Sequence, residues 1–280
     1  MNFTKMHGTG NVFVVLDGRE MTQDWAALSI AMCDRHFGIG SDGILVVANS
    51  RIADVKMRMF NPDGSESEMC GNGIRCFTKF LIDEGLTEGR EQLKIETLSG
   101  VHLATAKRDK SGAIASVRVG MGRPTTRPES IPVATYGAGP IKDYPLVIEG
   151  ITIPVTCVSM GNPHAVAFLD ESVKNWPLER LGPIVEHHEF FPRRVNFEIV
   201  NVKDRGHIDA RVWERGAGIT LACGSGACAI AVASWLQDKT GESVEITLPG
   251  GTLRVDWNGI DEVWLEGPAE TVYKGEWLKS

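Results

Sequence analysis

The chain has 280 residues, of which 42% are hydrophobic and 23% are charged, and its formal net charge is −7 at pH 7. That length accommodates about two domains of ordinary size, and the acidic balance argues against a nucleic-acid surface, which needs basic patches. Residues 1–7 lack the apolar core of a signal peptide, no apolar run approaches the roughly 20 residues of a membrane span, and six cysteines do not make a disulfide scaffold in a chain this long. We therefore expect a cytoplasmic protein with reduced thiols that binds neither nucleic acid nor membranes.

The first half of the chain alternates short strands with two helices. Apolar runs and alternating patterns predict strands at residues 12–16, 44–47, 55–60, 93–98, 101–106 and 114–119. Helical spacing of apolar residues predicts helices over 22–33, with Thr22 as the cap, and over 70–81. Gly and Pro are concentrated over residues 120–140, so the chain is expected to cross there into a second domain.

The second half repeats this order. Strands are predicted at residues 155–158, 165–169, 197–202, 208–213, 244–248 and 252–257, with helices over 181–190 and after Cys223. Two strand-like runs follow in the tail, residues 263–278, and either one could return to the first domain. Residues 227–236 carry no charge, so this helix must be buried on all sides.

These elements predict a mixed fold, α/β of the α+β kind. We expect two similar domains, each a curled, mainly antiparallel sheet around a central apolar helix, related by internal duplication. The predicted boundaries are residues 1–122 plus 270–280 for the first domain and 123–269 for the second.

The duplication is visible in a short motif that occurs twice, 153 residues apart, as MCGNG around Cys70 and ACGSG around Cys223. The same offset aligns residues 211–213 with 58–60 and residues 169–170 with 16–17. Beyond the motif the offset becomes 150, which aligns residues 247–250 with 97–100. One long repeat in two copies indicates a duplicated domain, since the repeats of solenoids are much shorter.

Cys70 and Cys223 are the candidate catalytic residues. A thiol at the first turn of a helix meets the positive end of the backbone dipole, which favours the thiolate. The glycines that follow let the backbone approach a ligand, and the amides of a helix start form a ready anion site. The alternative is a pair of buried structural cysteines, but the duplication favours two acid–base groups that act on one substrate from opposite sides.

Other motifs have ordinary explanations or stay open. Cys76 and Cys228 lack the Cys-x-x-Cys spacing of a zinc site and are interpreted as helix packing. Residues 38–43 (GIGSDG) match a dinucleotide fingerprint but follow a helix and precede a strand, which is the wrong order. His164 is either a buried, hydrogen-bonded imidazole or a group that tunes the thiols. Glu214 and Arg215 form either a solvated turn or part of a site.

Six motifs together resemble the diaminopimelate epimerase family. In chain order they are residues 5–11 (KMHGTGN), 60–65 (FNPDGS), 69–76 (MCGNGIRC), 159–164 (SMGNPH), 213–218 (WERGAG) and 222–228 (ACGSGAC). The resemblance runs from Met1 to Tyr273. It implies cofactor-independent epimerisation of LL-2,6-diaminopimelate to the meso form, in lysine and peptidoglycan precursor biosynthesis, with the site in the cleft between two similar domains.

The resemblance also implies a role for each matching residue. Cys70 and Cys223 would be the acid–base pair, assisted by His164 and Glu214. The reacting α-carboxylate would be held by Gly71, Asn72, Gly224 and Ser225. Glu214 and Arg215 would hold the amino group and the distal carboxylate, and the distal end would be surrounded by Asn11, Asn61, Asn162 and Asn196. Tyr273 matches a tyrosine at the family's dimer contact, which implies a homodimer. Neither a metal nor a cofactor is expected.

Two positions depart from the family pattern. Val12 replaces a common Asp, which bears on the packing of the Asn11 loop, and Gly43 replaces a Gln that contacts substrate in many members. The nearest alternative is an amino-acid racemase on the same scaffold, such as proline racemase, although Arg215 and the asparagines favour a substrate with a second polar end. A thiol-redox or metal-binding protein is the other alternative, and the absence of Cys-x-x-Cys spacing argues against it.

Overall fold

The computed structural model describes residues 1–135, 137 and 139–278. The chain forms two compact units: unit 1 is Met1–Gly120 with Glu266–Ser280, and unit 2 is Met121–Leu265. Parts of two predicted segments lie outside the described residues, namely residues 136 and 138 of the crossing and residues 279 and 280 of the tail. Both units combine many strands with few helices, which confirms the predicted mixed fold class.

The elements of unit 1 follow the predicted order. They are β1 (Asn2–Gly8), β2 (Asn11–Asp17), α1 (Trp25–Cys33), β3 (Ile44–Ala48), β4 (Val55–Phe60), β5 (Glu66–Ser67), α2 (Gly71–Asp83), β6 (Gln92–Thr97), β7 (Gly100–Arg108), β8 (Ile114–Gly120) and, from the tail, β18 (Glu270–Glu276). Strand β18 pairs antiparallel with β1. The second tail run therefore lies in unit 1, and so do Glu266 and Gly267 at the end of the first run.

The elements of unit 2 run in the same succession. They are β9 (Tyr144–Ile148), β10 (Ile151–Ser159), β11 (Pro163–Phe168), α3 (Leu178–Glu186), β12 (Asn196–Asp204), β13 (His207–Glu214), β14 (Gly218–Thr220), α4 (Gly224–Leu236), β15 (Ser243–Leu248), β16 (Gly251–Asp256) and β17 (Trp264–Gly267), whose last two residues belong to unit 1. Short 3-10 turns span Pro128–Ser130 and Val173–Asn175. The sequence analysis did not predict β1 and β5 in unit 1 or β9 and β14 in unit 2.

Strand pairing confirms the duplication. In unit 1, β1–β2 is antiparallel, β2–β3 parallel, β3–β4 antiparallel, β4–β6 parallel and β6–β7 antiparallel. In unit 2, the pairs β10–β11, β11–β12, β12–β13, β13–β15 and β15–β16 repeat this alternation. The same sequence of pairings in both units is the expected result of copying one domain, and each sheet is mainly antiparallel, as predicted.

The central helices pack against these strands. Helix α2 contacts β1, β2, β7 and β8, and α4 contacts β10, β11, β12 and β16. Ten residues of α4 are buried, from its first turn to Ser234. An apolar helix with no exposed stripe needs cover on every side, so the predicted burial of α4 is confirmed.

The sheet register corrects the alignment of the repeat. Ile44 and Phe197 are 153 residues apart, but their partners on the neighbouring parallel strands are Val14 and Ala165, which are 151 apart. Residues 169–170 are therefore not the counterparts of 16–17. The hairpins 97–100 and 248–251 are also related by 151, not by the predicted 150. The second copy has two extra residues between β11 and α3 and two fewer between α4 and β15.

Two predicted helices had wrong bounds. Helix α1 starts at Trp25, because the N-cap is Asp24, whose carboxylate accepts the Ala27 N–H at 3.0 Å; Thr22 lies outside. Helix α3 is Leu178–Glu186 rather than 181–190. Phe190, the predicted end, is buried in the loop beyond, where its ring stacks on Tyr144 with 3.9 Å between centroids.

Helix α3 contacts β13 closely at one glycine. A Cβ on Gly182 would lie 2.6 Å from Cδ2 of Trp213, well inside contact distance. The indole N–H of Trp213 also donates to Glu186 Oε2 at 2.7 Å, so the ring is held from the same helix. The ring therefore has little freedom to move away from an added methyl group.

We predict that Gly182→Ala destabilises the protein by about 1–3 kcal/mol, because overpacking exceeds the roughly 1 kcal/mol that Ala gains over Gly in a helix. Urea unfolding followed by tryptophan fluorescence measures this change. Gly241→Ala is the control, since a Cβ there has no atom within 4 Å, and its free energy of unfolding should stay within about 0.5 kcal/mol of wild type. Equal midpoints for the two variants would contradict the packing argument.

Candidate active site

The two motif cysteines are the N-cap residues of the central helices, Cys70 for α2 and Cys223 for α4. Each sulfur accepts a hydrogen bond from the backbone N–H three residues later, from Gly73 at 3.4 Å and from Gly226 at 3.3 Å. Asp, Ser or Asn usually makes this contact at a helix start. The amide and the helix dipole both favour negative charge on the capping atom, so each cap is a place where a thiolate is stabilised.

In unit 1, two asparagines lie at the Cys70 thiol. Asn11 Oδ1 accepts from Cys70 Sγ at 3.6 Å and from Asn72 Nδ2 at 3.5 Å. Asp42 Oδ2 accepts from Asn11 Nδ2 at 3.0 Å and from the Val12 N–H at 2.9 Å. The Asn11 loop therefore stays fixed although Val12 departs from the family pattern, because Asp42 binds both the side-chain amide of Asn11 and the backbone N–H of Val12.

The other unit 1 positions from the sequence analysis are held by local structure. Asn61 closes the turn after β4, where its Nδ2 donates to Ser65 Oγ at 2.9 Å. A Cβ on Gly43 would lie 2.8 Å from the carbonyl oxygen of Phe60, so this backbone leaves no room for a longer side chain. Tyr273 lies on β18 and is 43% exposed.

A buried arginine supports the start of α2. Arg75 is fully buried, and its guanidinium donates to the Gly71 carbonyl at 3.0 Å, to Thr9 Oγ1 at 3.2 Å and to the Pro268 carbonyl at 3.2 Å. It therefore joins the β1–β2 turn, the first helical residue and the tail before β18. The sequence analysis quoted Arg75 in a motif but gave it no role.

In unit 2, a chain of polar contacts runs from a buried carboxylate to the second thiol. Glu198 Oε1 lies 2.7 Å from His164 Nδ1, and His164 Nε2 lies 2.9 Å from Asn162 Oδ1. Asn162 Nδ2 donates to Ser225 Oγ at 3.3 Å, and Ser225 Oγ lies 3.5 Å from Cys223 Sγ. The structure thus brings three predicted site residues to Cys223 through direct contacts, and it adds Glu198.

Sequence reasoning missed Glu198, although a signal was present. The residue interrupts the apolar run Phe197-Glu198-Ile199-Val200, which forms the buried part of β12. Its side chain and that of His164 are both fully inaccessible to solvent. A charged residue in a strand that is buried on both faces requires a partner, and here the partner lies on the adjacent parallel strand β11.

The remaining unit 2 positions lie where β12 begins and where β13 ends. Asn196 is buried, donates from Nδ2 to the Pro163 carbonyl at 2.9 Å and accepts the Arg215 N–H on Oδ1 at 2.9 Å. Glu214 accepts from the Thr220 hydroxyl. The Arg215 guanidinium is exposed, with Nη1 donating to the Arg193 carbonyl at 3.3 Å.

Comparison with known proteins identifies the family. The sequence model of diaminopimelate epimerase matches residues 3–127 and 156–272. The diaminopimelate epimerase of Moorella thermoacetica is 47% identical over 279 residues, with 99% of each chain covered. That of Leptospira biflexa is 45% identical over 277 residues, covering 99% of this chain and 98% of the relative. This chain belongs to the diaminopimelate epimerase family.

A solved structure shows that the fold extends further than this family. A hydroxyproline epimerase from Agrobacterium vitis, solved with bound trans-4-hydroxy-L-proline, aligns with a TM-score of 0.70 at 16% identity. The alignment covers 98% of this chain and 90% of that one. The resemblance seen in six sequence motifs is thus confirmed by the family comparison, and the predicted two-domain architecture by the shared fold.

The described part of the chain contains neither a cluster of metal-ligating side chains nor a helix that could cross a membrane. Among residues 1–135, 137 and 139–278, no group of three or more His, Cys, Asp or Glu side chains is placed to hold a metal ion. Within the same part of the epimerase chain, every helix is too short or too polar to cross a membrane.

The two acidic neighbours of Cys223 affect its ionisation. Burial raises the pKa of the Cys223 thiol well above its usual value, and the carboxylates of Glu214 and Glu198 raise it further. Hydrogen bonds from Ser225 and the Gly226 N–H act in the opposite direction. Burial is the largest of these effects, so the environment of Cys223 favours the neutral thiol over the thiolate.

We predict that Glu214→Gln lowers the pKa of Cys223, because removal of a negative charge makes the thiolate less unfavourable. The thiolate is the reactive form, so iodoacetamide should modify Cys223 several-fold faster at pH 8 in the variant. Mass spectrometry of the Cys223 peptide after timed quenching measures the rate. The control is Glu186→Gln, another buried carboxylate of unit 2; an equal increase there would contradict the assignment.

Proposed function

We propose that the protein epimerises LL-2,6-diaminopimelate to meso-diaminopimelate without a cofactor, through one thiolate and one thiol, in lysine and peptidoglycan precursor biosynthesis. Family membership supports the substrate and the reaction. One structural observation carries the mechanism: in each unit a cysteine sulfur caps a helix whose first amides form an anion site.

The protein must stabilise a very unfavourable carbanion. An amino acid's α-proton is a weak acid, and its removal places negative charge on the carboxylate oxygens. The first N–H groups of an α-helix have no intrahelical partner and point out from its end. In this proposal the amides of Gly71 and Asn72 and those of Gly224 and Ser225 bind the α-carboxylate, and they bind it more strongly as its charge grows.

Inversion requires removal of the proton on one face of the α-carbon and delivery on the other. We assign these steps to Cys70 and Cys223. The raised pKa of Cys223 supports a starting form in which Cys223 is the acid and Cys70 is the base. The roles exchange when the substrate has the opposite configuration. Because the two thiols share one site in this proposal, their titrations belong to the pair.

The rest of the site selects the substrate. The exposed guanidinium of Arg215 is suited to the distal carboxylate, because Arg binds carboxylates in a bidentate manner. Its backbone is set by Asn196, which accepts the Arg215 N–H. We propose that Asn11, Asn61, Asn162 and Asn196 surround the distal end, that Glu214 binds the amino group, and that Glu214 and His164 assist the thiols.

Three further proposals follow from family membership. The protein acts in the cytoplasm. It forms a homodimer, to which the exposed Tyr273 on β18 contributes. The epimerase domains have the boundaries predicted from sequence, residues 1–122 plus 270–280 and residues 123–269.

We predict that Cys70→Ala and Cys223→Ala each lower kcat at least about 1,000-fold, because each variant lacks the acid–base group for one face. Purified, reduced protein is incubated with LL-diaminopimelate, and the stereoisomers are resolved by chiral chromatography. Cys76→Ala and Cys228→Ala, on the same two helices, are the matched controls and should keep wild-type kcat within about threefold.

Normal turnover in either motif variant would exclude that cysteine from proton transfer. A wild-type enzyme that racemises L-proline but leaves LL-diaminopimelate unchanged would instead support the racemase alternative and would refute the proposed function.

Proton exchange with solvent provides a separate test. In heavy water, a two-base enzyme places solvent deuterium on the newly formed epimer while the remaining substrate still carries hydrogen. We predict this order at early times, measured by mass spectrometry of the separated stereoisomers. Equal early labelling of substrate and product would indicate a single base and would remove one cysteine from the mechanism.

A further inference from the structure

The two copies of the fold differ in the space beneath the start of the central helix. A Cβ on Gly73, in the third residue of α2, would contact Leu45 at 3.3 Å and Phe13 at 3.6 Å. In α4, a Cβ on the equivalent Gly226 would lie 2.9 Å from Glu198 Oε1. In unit 1 the apolar side chains of Phe13 and Leu45 therefore fill the space that the ionisable pair Glu198 and His164 fills in unit 2.

The sheet register makes this equivalence strict. Leu45 is opposite Val15 on the parallel pair β2–β3, and Glu198 is opposite Val166 on the parallel pair β11–β12. Phe13 lies two residues before Val15 on β2, and His164 lies two residues before Val166 on β11. The positions Phe13 and Leu45 in unit 1 thus became His164 and Glu198 in unit 2, or the reverse.

Packing does not require the ionisable pair, because unit 1 fills the same space with Phe and Leu. Both side chains of the pair are sealed from water, and in the described part of the chain Glu198 Oε2 has no hydrogen-bond partner. Replacing a buried ion pair with apolar residues of similar size is often neutral or stabilising. The pair is therefore retained for something other than stability.

We propose that Glu198 is a positioning residue: with His164 it holds one proton, so that His164 Nε2–H donates to Asn162 Oδ1 and turns the Asn162 NH₂ toward Ser225. The proposal deepens the proposed function and rests on it, since Asn162 and Ser225 are substrate-binding residues there.

The number of protons that Glu198 and His164 hold together supports one direction for the hydrogen bond between His164 Nε2 and Asn162 Oδ1. With one shared proton, either Glu198 is protonated and donates to Nδ1, or His164 is an imidazolium and donates from Nδ1 to the carboxylate. His164 carries hydrogen on Nε2 in both cases. Only loss of the shared proton would free Nε2, and it would leave a net negative charge in a site without water.

The neighbouring ionisable groups disfavour that loss. Glu214 lies close enough that its charge raises the pKa of Glu198, which burial raises most and His164 lowers. Cys157 and Cys223 are the other groups that the Glu198 charge affects. No neighbour in this set supplies a compensating positive charge, so these groups disfavour a net negative charge on the pair.

The fixed amide has a consequence at the helix start. Asn162 Oδ1 accepts from His164, so its Nδ2 is the group that meets Ser225 Oγ at 3.3 Å. Ser225 Oγ then acts as the acceptor, and its own hydrogen remains for Cys223 Sγ or an incoming carboxylate. Unit 2 therefore presents a donor of fixed direction beside its thiol.

The test uses two variants of the full-length protein. His164→Phe/Glu198→Leu copies the apolar pair of unit 1, and Glu198→Gln keeps the shape of the carboxylate but not its charge. Ile199→Val, the next residue of β12, controls for a mild core change. Urea unfolding, kinetics with LL-diaminopimelate and ¹⁵N NMR of labelled histidine are measured, with the double variant assigning the His164 signals.

We expect the double variant to unfold at a urea midpoint no lower than that of Ile199→Val, with KM raised about 10-fold or more by loss of the aligned amide. Wild-type His164 should show a protonated Nε2 at pH 7.5, and Glu198→Gln should show a mixture of the Nδ1–H and Nε2–H tautomers together with a raised KM.

Three results would overturn the proposal. They are an unprotonated Nε2 in the wild type at pH 7.5, unchanged His164 signals and KM in Glu198→Gln, and a double variant that fails to fold. The NMR readout does not need turnover, so failure of the proposed function, in which wild type leaves LL-diaminopimelate unchanged, is distinguishable from failure of this inference.

Discussion

The contact on which the structure depends is a hydrogen bond from a backbone amide to a cysteine sulfur. At the start of α2 and again at the start of α4, the sulfur accepts from the third helical N–H. That bond fixes the χ1 direction of the thiol, satisfies a donor that would otherwise be orphaned, and places the sulfur on the positive end of the helix. A Cβ on Gly73 or on Gly226 would lie 3.3 Å or less from a neighbouring side chain, which favours the second glycine of each motif.

Duplication gave two such caps, and divergence made them unequal. Unit 1 has a buried cation, Arg75, one turn into its helix, where unit 2 has Cys228. Unit 2 has the Glu198–His164 pair, where unit 1 has Leu45 and Phe13. A cation favours an ionised sulfur and carboxylates favour a protonated one. In the proposed mechanism, this charge difference favours Cys70 as the base and Cys223 as the acid.

Much of this could be read from the sequence. The repeated motif predicted the duplicated fold, and the pattern of strands and central helices followed from periodicity. The uncharged stretch 227–236 correctly predicted a helix buried on all sides. The predicted order of the helices is correct even where their predicted bounds are wrong. Helices α1 and α3 have the same length, and their residue numbers differ by 153. Applying that offset to α1 would have corrected the predicted end at residue 190.

What could not be read depends on contacts between distant segments. The helix cap is Asp24 and not the predicted Thr22, because a helix begins where a side-chain oxygen reaches a free backbone amide. The two-residue shift between repeats became visible only when strand partners were known. Glu198 looked like one charge in an apolar run, and its pairing with His164 required knowledge that β11 and β12 are parallel neighbours.

The anchoring of α2 by Arg75 has a consequence for biosynthesis. Thr9 and Gly71, which carry two of the oxygens that accept hydrogen bonds from Arg75, are synthesised early. The third acceptor is the carbonyl oxygen of Pro268, and β1 pairs with β18, so both of these contacts involve residues that are synthesised late. These last segments leave the ribosome after the whole of unit 2. The first copy therefore keeps an open edge on β1 until the last residues of the polypeptide have been made.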